Sequence, residues 1–359
     1  MNANIDITLM KNDFSTNKKQ NNDYKPKTKV KIYDFFTLNE VKVCKKIEKI
    51  QYYYNFFEII KKYQLLEVGQ MNKNMLEKLD IIVNTQKNDK YLLVEYNTNK
   101  NAKYMDFINF LFHIPSPKLL IFHTLDSYSY LLESLIKLNT KKICFFDLCP
   151  ENIFFAENYK PLLKNFKTSI LIETIKNQTI NENYIEKIIT KITSFTHKPL
   201  EIHLLFYLII NNEISLSYSI LDIISTNYIE NLTVLSFFSH EYRENFKKEC
   251  IDFLKIYINK PKHIIINEIL GFCNTWDNYS LSILYLHIFG NITNVFSLTE
   301  TFINKLIIIL SKNILPNPLK RETLENTMKM YNILFTEFTD WTYVNNIPRY
   351  KIDYLYEIL

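Results

Sequence analysis

The segment Asp147-Leu148-Cys149-Pro150-Glu151-Asn152-Ile153 carries the clearest chemistry in the chain. A carboxylate such as Asp147 can take the proton from a hydroxyl that is about to attack. Four residues intervene before Asn152, whose amide oxygen can ligate a hard divalent cation. The plainer alternative is a surface turn in which Pro150 and Asn152 are only turn formers. The flanks bear on that choice. An apolar-periodic stretch, residues 119–138, reads as a long helix, and Ile143-Cys144-Phe145-Phe146 reads as a short strand running straight into Asp147. Helix, strand and loop are thus the elements that must position the pair.

The segment resembles the catalytic loop of a eukaryotic-type protein kinase, whose pattern is H-R-D-L-K-P-E-N-I. Here His-Arg has become Phe145-Phe146, and the loop Lys has become Cys149. Asn165-Phe166-Lys167 stands at the family's usual interval past Asn152, where the metal-binding D-F-G belongs. The resemblance implies Asn152 and Asn165 as ligands of Mg²⁺. An amide at Asn165 supplies no negative charge, however, and Lys167 competes with a cation; Mg²⁺ prefers hard anionic oxygen. Thr275-Trp276-Asp277-Asn278-Tyr279-Ser280-Leu281-Ser282 resembles D-x-Y/W-S-L-G, which implies that Asp277 braces the loop through its backbone N–H groups. The alternative is an N-cap on an ordinary core helix. Lys198-Pro199-Leu200-Glu201 is similar to A-P-E, and residues 318–323, with Lys320-Arg321, are similar to P-x-x-R-x-T. The family buries that Glu and Arg as an ion pair, which implies Glu201 with Arg321. Only three Arg occur (Arg243, Arg321, Arg349), so one placed here is informative. The link from Glu201 to Asp277 is longer than the family's, and a helical insertion at 202–270 accounts for it.

The N-terminal part departs furthest. Phosphate-cradling loops need glycines for close backbone approach, yet the chain has only Gly69, Gly271 and Gly290. Val30-Lys31-Ile32 resembles the strand of the phosphate-binding Lys, with Lys29 competing for that role. Asn39-Glu40-Val41-Lys42-Val43-Cys44 resembles the start of the adjacent helix, with Glu40 as partner of Lys31.

Along the chain, residues 1–27 are polar and read as a disordered arm. Residues 29–36 alternate like a strand. Thr37 or Asn39 could cap a helix over 40–53. Residues 56–66, 79–84 and 91–96 read as strands, and 97–102 as a polar break. The chain is mainly helical from residue 105 to about 340. Strands first and helices later predict an α+β chain. The resemblance sharpens this to a bilobal protein-kinase-like fold, with a small sheet lobe carrying one helix (28–97) and a larger helical lobe (98–345).

Composition narrows the partners. A net charge of +5, spread along the chain, reads as a solvated surface, so a nucleic-acid partner is not expected. Lys, Asn, Ile, Tyr and Phe are abundant and share A/T-rich codons, which weakens arguments from lysine or aromatic richness. Five scattered Cys without a CxxC read as reduced thiols of a cytoplasmic protein. Residues 1–14 lack the apolar core of a signal peptide, and no run reaches the ~18 residues of a membrane span. The seven His form no HExxH, and there is no G-x-S-x-G. The resemblance, similar in its Gly-poor style to kinase-like proteins of large DNA viruses, implies a host-cytoplasmic pseudokinase or weakened Ser/Thr kinase acting on or through a protein partner. The alternatives are an active atypical Ser/Thr kinase using ATP, Mg²⁺ and Asp147 as base, and a helical interaction protein without a nucleotide site.

Overall fold

Three strands, β1 (Pro26–Ile32), β2 (Ile60–Glu67) and β3 (Lys90–Asn99), form an antiparallel sheet in the order β1-β3-β2. β1 is lysine-rich and pairs because β3 offers it a full edge, from Thr28 opposite Glu95 to Ile32 opposite Tyr91. Central β3 alternates as a half-buried strand should, with Leu92, Val94 and Tyr96 buried. The computed structural model describes residues 25–67, 89–100, 102–112, 116–156, 158–175, 178–211, 216–295 and 302–337, together with 351, 354 and 355.

Several boundaries differ from the sequence expectation, each for a local reason. The strand ends at Ile32, and helix α1 (Phe35–Ile47) begins where the alternation predicts more strand. Asp34 is the N-cap: its Oδ1 accepts the Thr37 N–H at 2.8 Å, so Thr37 and Asn39 lie inside the helix. Phe35 then packs edge-on against Tyr184 with ring centroids 5.7 Å apart. Residues 56–59 are not strand. Phe57 instead bridges to Leu163. The expected break at 97–102 starts only after Asn99, because the Asn97 side chain accepts from Ile59 N (2.8 Å) and donates to Phe57 O (2.9 Å), tying β3 to its neighbour. Pro26 and Lys27 belong to β1, not to a polar arm. The strand expected at 79–84 lies outside the described residues, as do residues 1–24 of the arm.

Short strands then alternate with helices. β4 (Met105–Asp106) leads into α2 (Phe107–Phe112) and α3 (Pro117–Thr140), which is capped by Ser116 and starts with Pro117 at N1. β5 (Ile143–Cys144) pairs with β8 (Ile170–Leu171), while β6 (Ile153–Phe155) lies between β4 and β7 (Pro161–Leu163). Helices α4 (Ile172–Ile175), α5 (Gln178–Ile189), α6 (Leu200–Ile210), α7 (Tyr218–Asn231), α8 (His240–Lys255) and α9 (Lys262–Leu270) follow. Residues 202–270 are thus mostly helical.

The helical core is organised by α10 (Cys273–Val295), followed by α11 (Phe302–Asn313) and α12 (Leu324–Glu337). From Thr275 to Leu286 every residue of α10 is buried, so it is a helix with no solvent face. It starts at Cys273. Asp277 therefore sits inside it and is not its cap. The sequence and the structure agree on an α+β chain with small antiparallel sheets. Among the described residues, no helix is long and apolar enough to cross a membrane. All five cysteines are free thiols.

Candidate functional site

The site is built on a carboxylate buried in α10. Asp277 Oδ2 accepts the Phe145 N–H at 2.7 Å, and Oδ1 accepts the Phe146 N–H at 2.8 Å. Burial pushes the Asp277 carboxyl up to about 6, against the pull of these two N–H donors, so near neutral pH it is ionised and can hold both. The brace has a conformational purpose. Phe146 has φ 68°, in the left-handed region that a side chain disfavours. Fixing both N–H groups there turns the chain sharply and presents Asp147 to solvent.

Asp147 is 35 % exposed and stands at the centre of a donor set. Asn152 Nδ2 donates to Asp147 O (2.8 Å) and more weakly to its Oδ2 (3.2 Å). Thr168 Oγ1 lies 3.5 Å from the same carboxylate oxygen. Lys198 Nζ donates to Phe146 O at 2.5 Å and lies 3.3 Å from Asp147 Oδ1, with only 4 % of its side chain exposed. Asp147, Asn152 and Lys198 border a cavity of about 580 Å³, lined among others by Cys149, Asn165 and His197. Burial, reinforced by Asp147, pushes the Cys149 thiol up to about 12, which disqualifies it as a nucleophile at neutral pH.

Asn165 also has a left-handed backbone, φ 66°, and its Nδ2 donates to Asn152 Oδ1 at 2.9 Å. The two amides expected as metal ligands are therefore bonded to each other, and one ligating oxygen is already engaged. Neither carries charge. Among the described residues, no cluster of three or more His, Cys, Asp or Glu could hold a metal ion. Two neutral amide oxygens offer Mg²⁺ less than the anionic oxygen it favours.

An aromatic column links the site to the sheet layer. Phe166 is fully buried and packs edge-on against Phe145 (5.2 Å) and Phe57 (6.0 Å). At the sheet, Lys31 Nζ lies 2.5 Å from Glu40 Oε2, and Glu40 is buried. Lys29, the competing lysine, forms no ion pair with any described residue. The next residue to Glu40 completes the link: Asn39 Nδ2 donates to Ser169 O (2.8 Å) and Lys167 O (3.0 Å). Lys31 is thus tied to the Asp147 group through α1, and no direct bond between them exists among the described residues.

The structure also brings Glu201 and Arg321 together, 120 residues apart in sequence. Nη1 donates to Oε1 at 2.6 Å and Nη2 to Oε2 at 2.9 Å, with both side chains buried. Trp276 Nε1 adds a bond to Glu201 Oε1 (3.1 Å), and the Leu315 and Pro316 carbonyls take further Arg321 donors. This fork ties α6 to the segment ahead of α12, the Trp276 bond ties α6 to α10, and Lys198 lies just ahead of α6.

Two contributors escaped the sequence reading. Lys198 counted only as a letter of an A-P-E-like element. The replacement of the loop Lys by Cys149 was the available signal, because a carbonyl and a carboxylate there need a cation from elsewhere. Asn39, a possible cap by residue type, bonds main-chain carbonyls far away in sequence. No protein-family model and no curated protein matches this sequence.

Proposed function

We propose that this chain is a bilobal protein-kinase-like protein whose phosphotransfer has been lost or strongly weakened, and that it works by binding a protein partner. The kinase side of this reading rests on an ensemble: the Asp277 brace, the Asp147–Asn152 bond, the Lys31–Glu40 pair and the Glu201–Arg321 fork. The loss of chemistry rests on one observation above all, the neutral Asn152–Asn165 amide pair where a metal-binding carboxylate would be needed. Phosphoryl transfer is mostly positioning plus charge stabilisation. Without a metal carboxylate and without a glycine-rich phosphate loop, the developing charge has little to meet it. Lys198 meanwhile pairs with the Asp147 carboxylate at 3.3 Å.

The test is thermal unfolding of the full chain with ATP, with and without Mg²⁺. Adding Mg²⁺ is expected to give no stabilisation beyond that of ATP alone. Stabilisation that requires Mg²⁺ would overturn this reading in favour of an active Ser/Thr kinase with Asp147 as base.

A further inference from the structure

A second cavity, of about 320 Å³, lies where α8 meets the turn ahead of α12, and it shares no lining residue with the one beside Asp147. One wall is a face of α8. Glu249, Asp252, Phe253 and Ile256 stand at positions i, i+3, i+4 and i+7, so they share one side of the helix. Leu319 and Lys320 line it from the turn Pro318–Lys320, and Phe272 from the link between α9 and α10. α8 belongs to residues 202–270, outside the segments that carry the kinase resemblance.

The apolar part of this lining is open to solvent and yet held in place. Ile256 is 50 % exposed and Leu319 is 78 % exposed. Asn317 Oδ1 accepts the Leu319 N–H at 3.0 Å, and Arg321 donates to the Leu315 and Pro316 carbonyls at 2.7 and 3.2 Å. The buried Glu201–Arg321 fork therefore pins the turn that carries an exposed leucine. A rigid apolar surface at a cavity mouth suits an incoming anchor side chain, because little freedom is lost on binding.

The charged part is short of a donor. Glu249 Oε2 is buried and makes no hydrogen bond among the described residues. Tyr242 Oη, two turns earlier on α8, is buried and equally without a partner, so it does not supply that donor. Glu249 Oε1 lies 3.7 Å from Lys320 Nζ, and both side chains of this pair are half-exposed, so it holds little. Asp252 adds a second carboxylate, exposed and bonded to Lys255. A buried carboxylate oxygen without a donor is costly until a ligand provides one.

We propose that this cavity takes an arginine side chain from an apolar segment of a partner protein, with the guanidinium at Glu249 and Asp252 and its apolar neighbour against Ile256, Phe272 and Leu319. The proposal rests on the reading that this chain works by binding a protein. Charge complementarity calls for a cation. A divalent ion takes about six oxygens, more than two carboxylates among apolar side chains offer. Arginine fits better than lysine, because its planar fork matches a carboxylate, it is weakly hydrated, and it stacks on rings such as Phe272.

The experiment selects a phage-displayed random heptapeptide library on the full chain and measures synthetic copies of the enriched peptides by fluorescence anisotropy. Enriched peptides should carry arginine beside leucine, isoleucine or phenylalanine. Replacing that arginine by lysine should weaken binding about fivefold, and replacing it by glutamate should abolish it. Glu249→Gln and Leu319→Ser should each weaken binding about tenfold, whereas Ile308→Ser, an equally exposed apolar site on α11, should leave it unchanged. Should Glu249→Gln or Leu319→Ser fail to fold, Asp252→Asn and Ile256→Ser serve in their place. Enriched peptides without a basic residue would overturn the proposal, as would binding undiminished in the cavity variants or no enrichment at all. Self-association of the chain that these variants abolish would overturn it in favour of a second copy as the occupant. Phosphate transfer that disappears in Asp147→Asn would instead overturn the binding-only reading and leave the arginine site standing, so the two failures are distinguishable.

Discussion

At the scale of single residues, the account turns on what stands next to Asp147. Asp147 and Asn152 were legible in the sequence because their bond is local, closed within one loop. Lys198 was not, because it arrives from 51 residues away and its role is defined only by packing. Its removal should be felt in stability. Lys198→Met leaves the buried Phe146 carbonyl and one side of Asp147 without a donor, so urea unfolding should show a loss of about 1–3 kcal/mol. Asn165 gives the complementary prediction. Asn165→Asp adds a carboxylate beside Asn152 and Asp147, and Mg²⁺ should then stabilise the variant in thermal unfolding while leaving the wild type unaffected. Equal behaviour of the two proteins would show that the amide is not what excludes the metal.

At the scale of elements, the sequence made strand and helix order visible and blurred their ends. The alternation at 29–36 predicted strand, and the Asp34 cap converted its second half into α1. A side-chain cap and the aromatic partner of Phe35 are tertiary facts, and hydrophobic period alone cannot weigh them. Burial of α10 on all sides was equally hidden, since a helix without a polar face has no amphipathic signature. Two predictions belong here. A Cβ built on Gly290 would lie 2.3 Å from Phe237 Cδ2, so Gly290→Ala should cost about 1–3 kcal/mol, and Phe237→Leu should restore part of it. The anchor of α6 is larger: Glu201→Gln leaves Arg321 charged and buried, with an expected loss of about 3–5 kcal/mol in equilibrium unfolding. A loss below about 1 kcal/mol would mean that the fork is not a structural anchor.

Over the whole molecule, buried titratable groups set the response to pH. His203 is buried between Phe195 and Tyr228, and burial lowers its pKa to about 4 from an ordinary 6.5. Between these values the unfolded chain takes a proton that the folded chain refuses. Stability from this group is therefore complete above about pH 6.5 and falls as the pH drops towards 4, by on the order of 3 kcal/mol. Asp277 acts in the opposite sense. Its folded pKa is raised to about 6 from 3.8, so its contribution is full below the lower value and is lost as pH rises through the higher one. His203→Asn should remove about half of the acid-limb slope, because burial also lowers His197 to about 4 and that residue remains, and it should leave the Asp277 slope.

The most direct measurement concerns the claim that a kinase-like arrangement persists here without its chemistry. The full chain, incubated with ATP, Mg²⁺ and a generic basic protein, is compared with Asp147→Asn for transfer of the γ-phosphate. The account predicts no transfer above the level of the variant. Transfer by the wild-type chain that vanishes with the Asp147 carboxylate would contradict it.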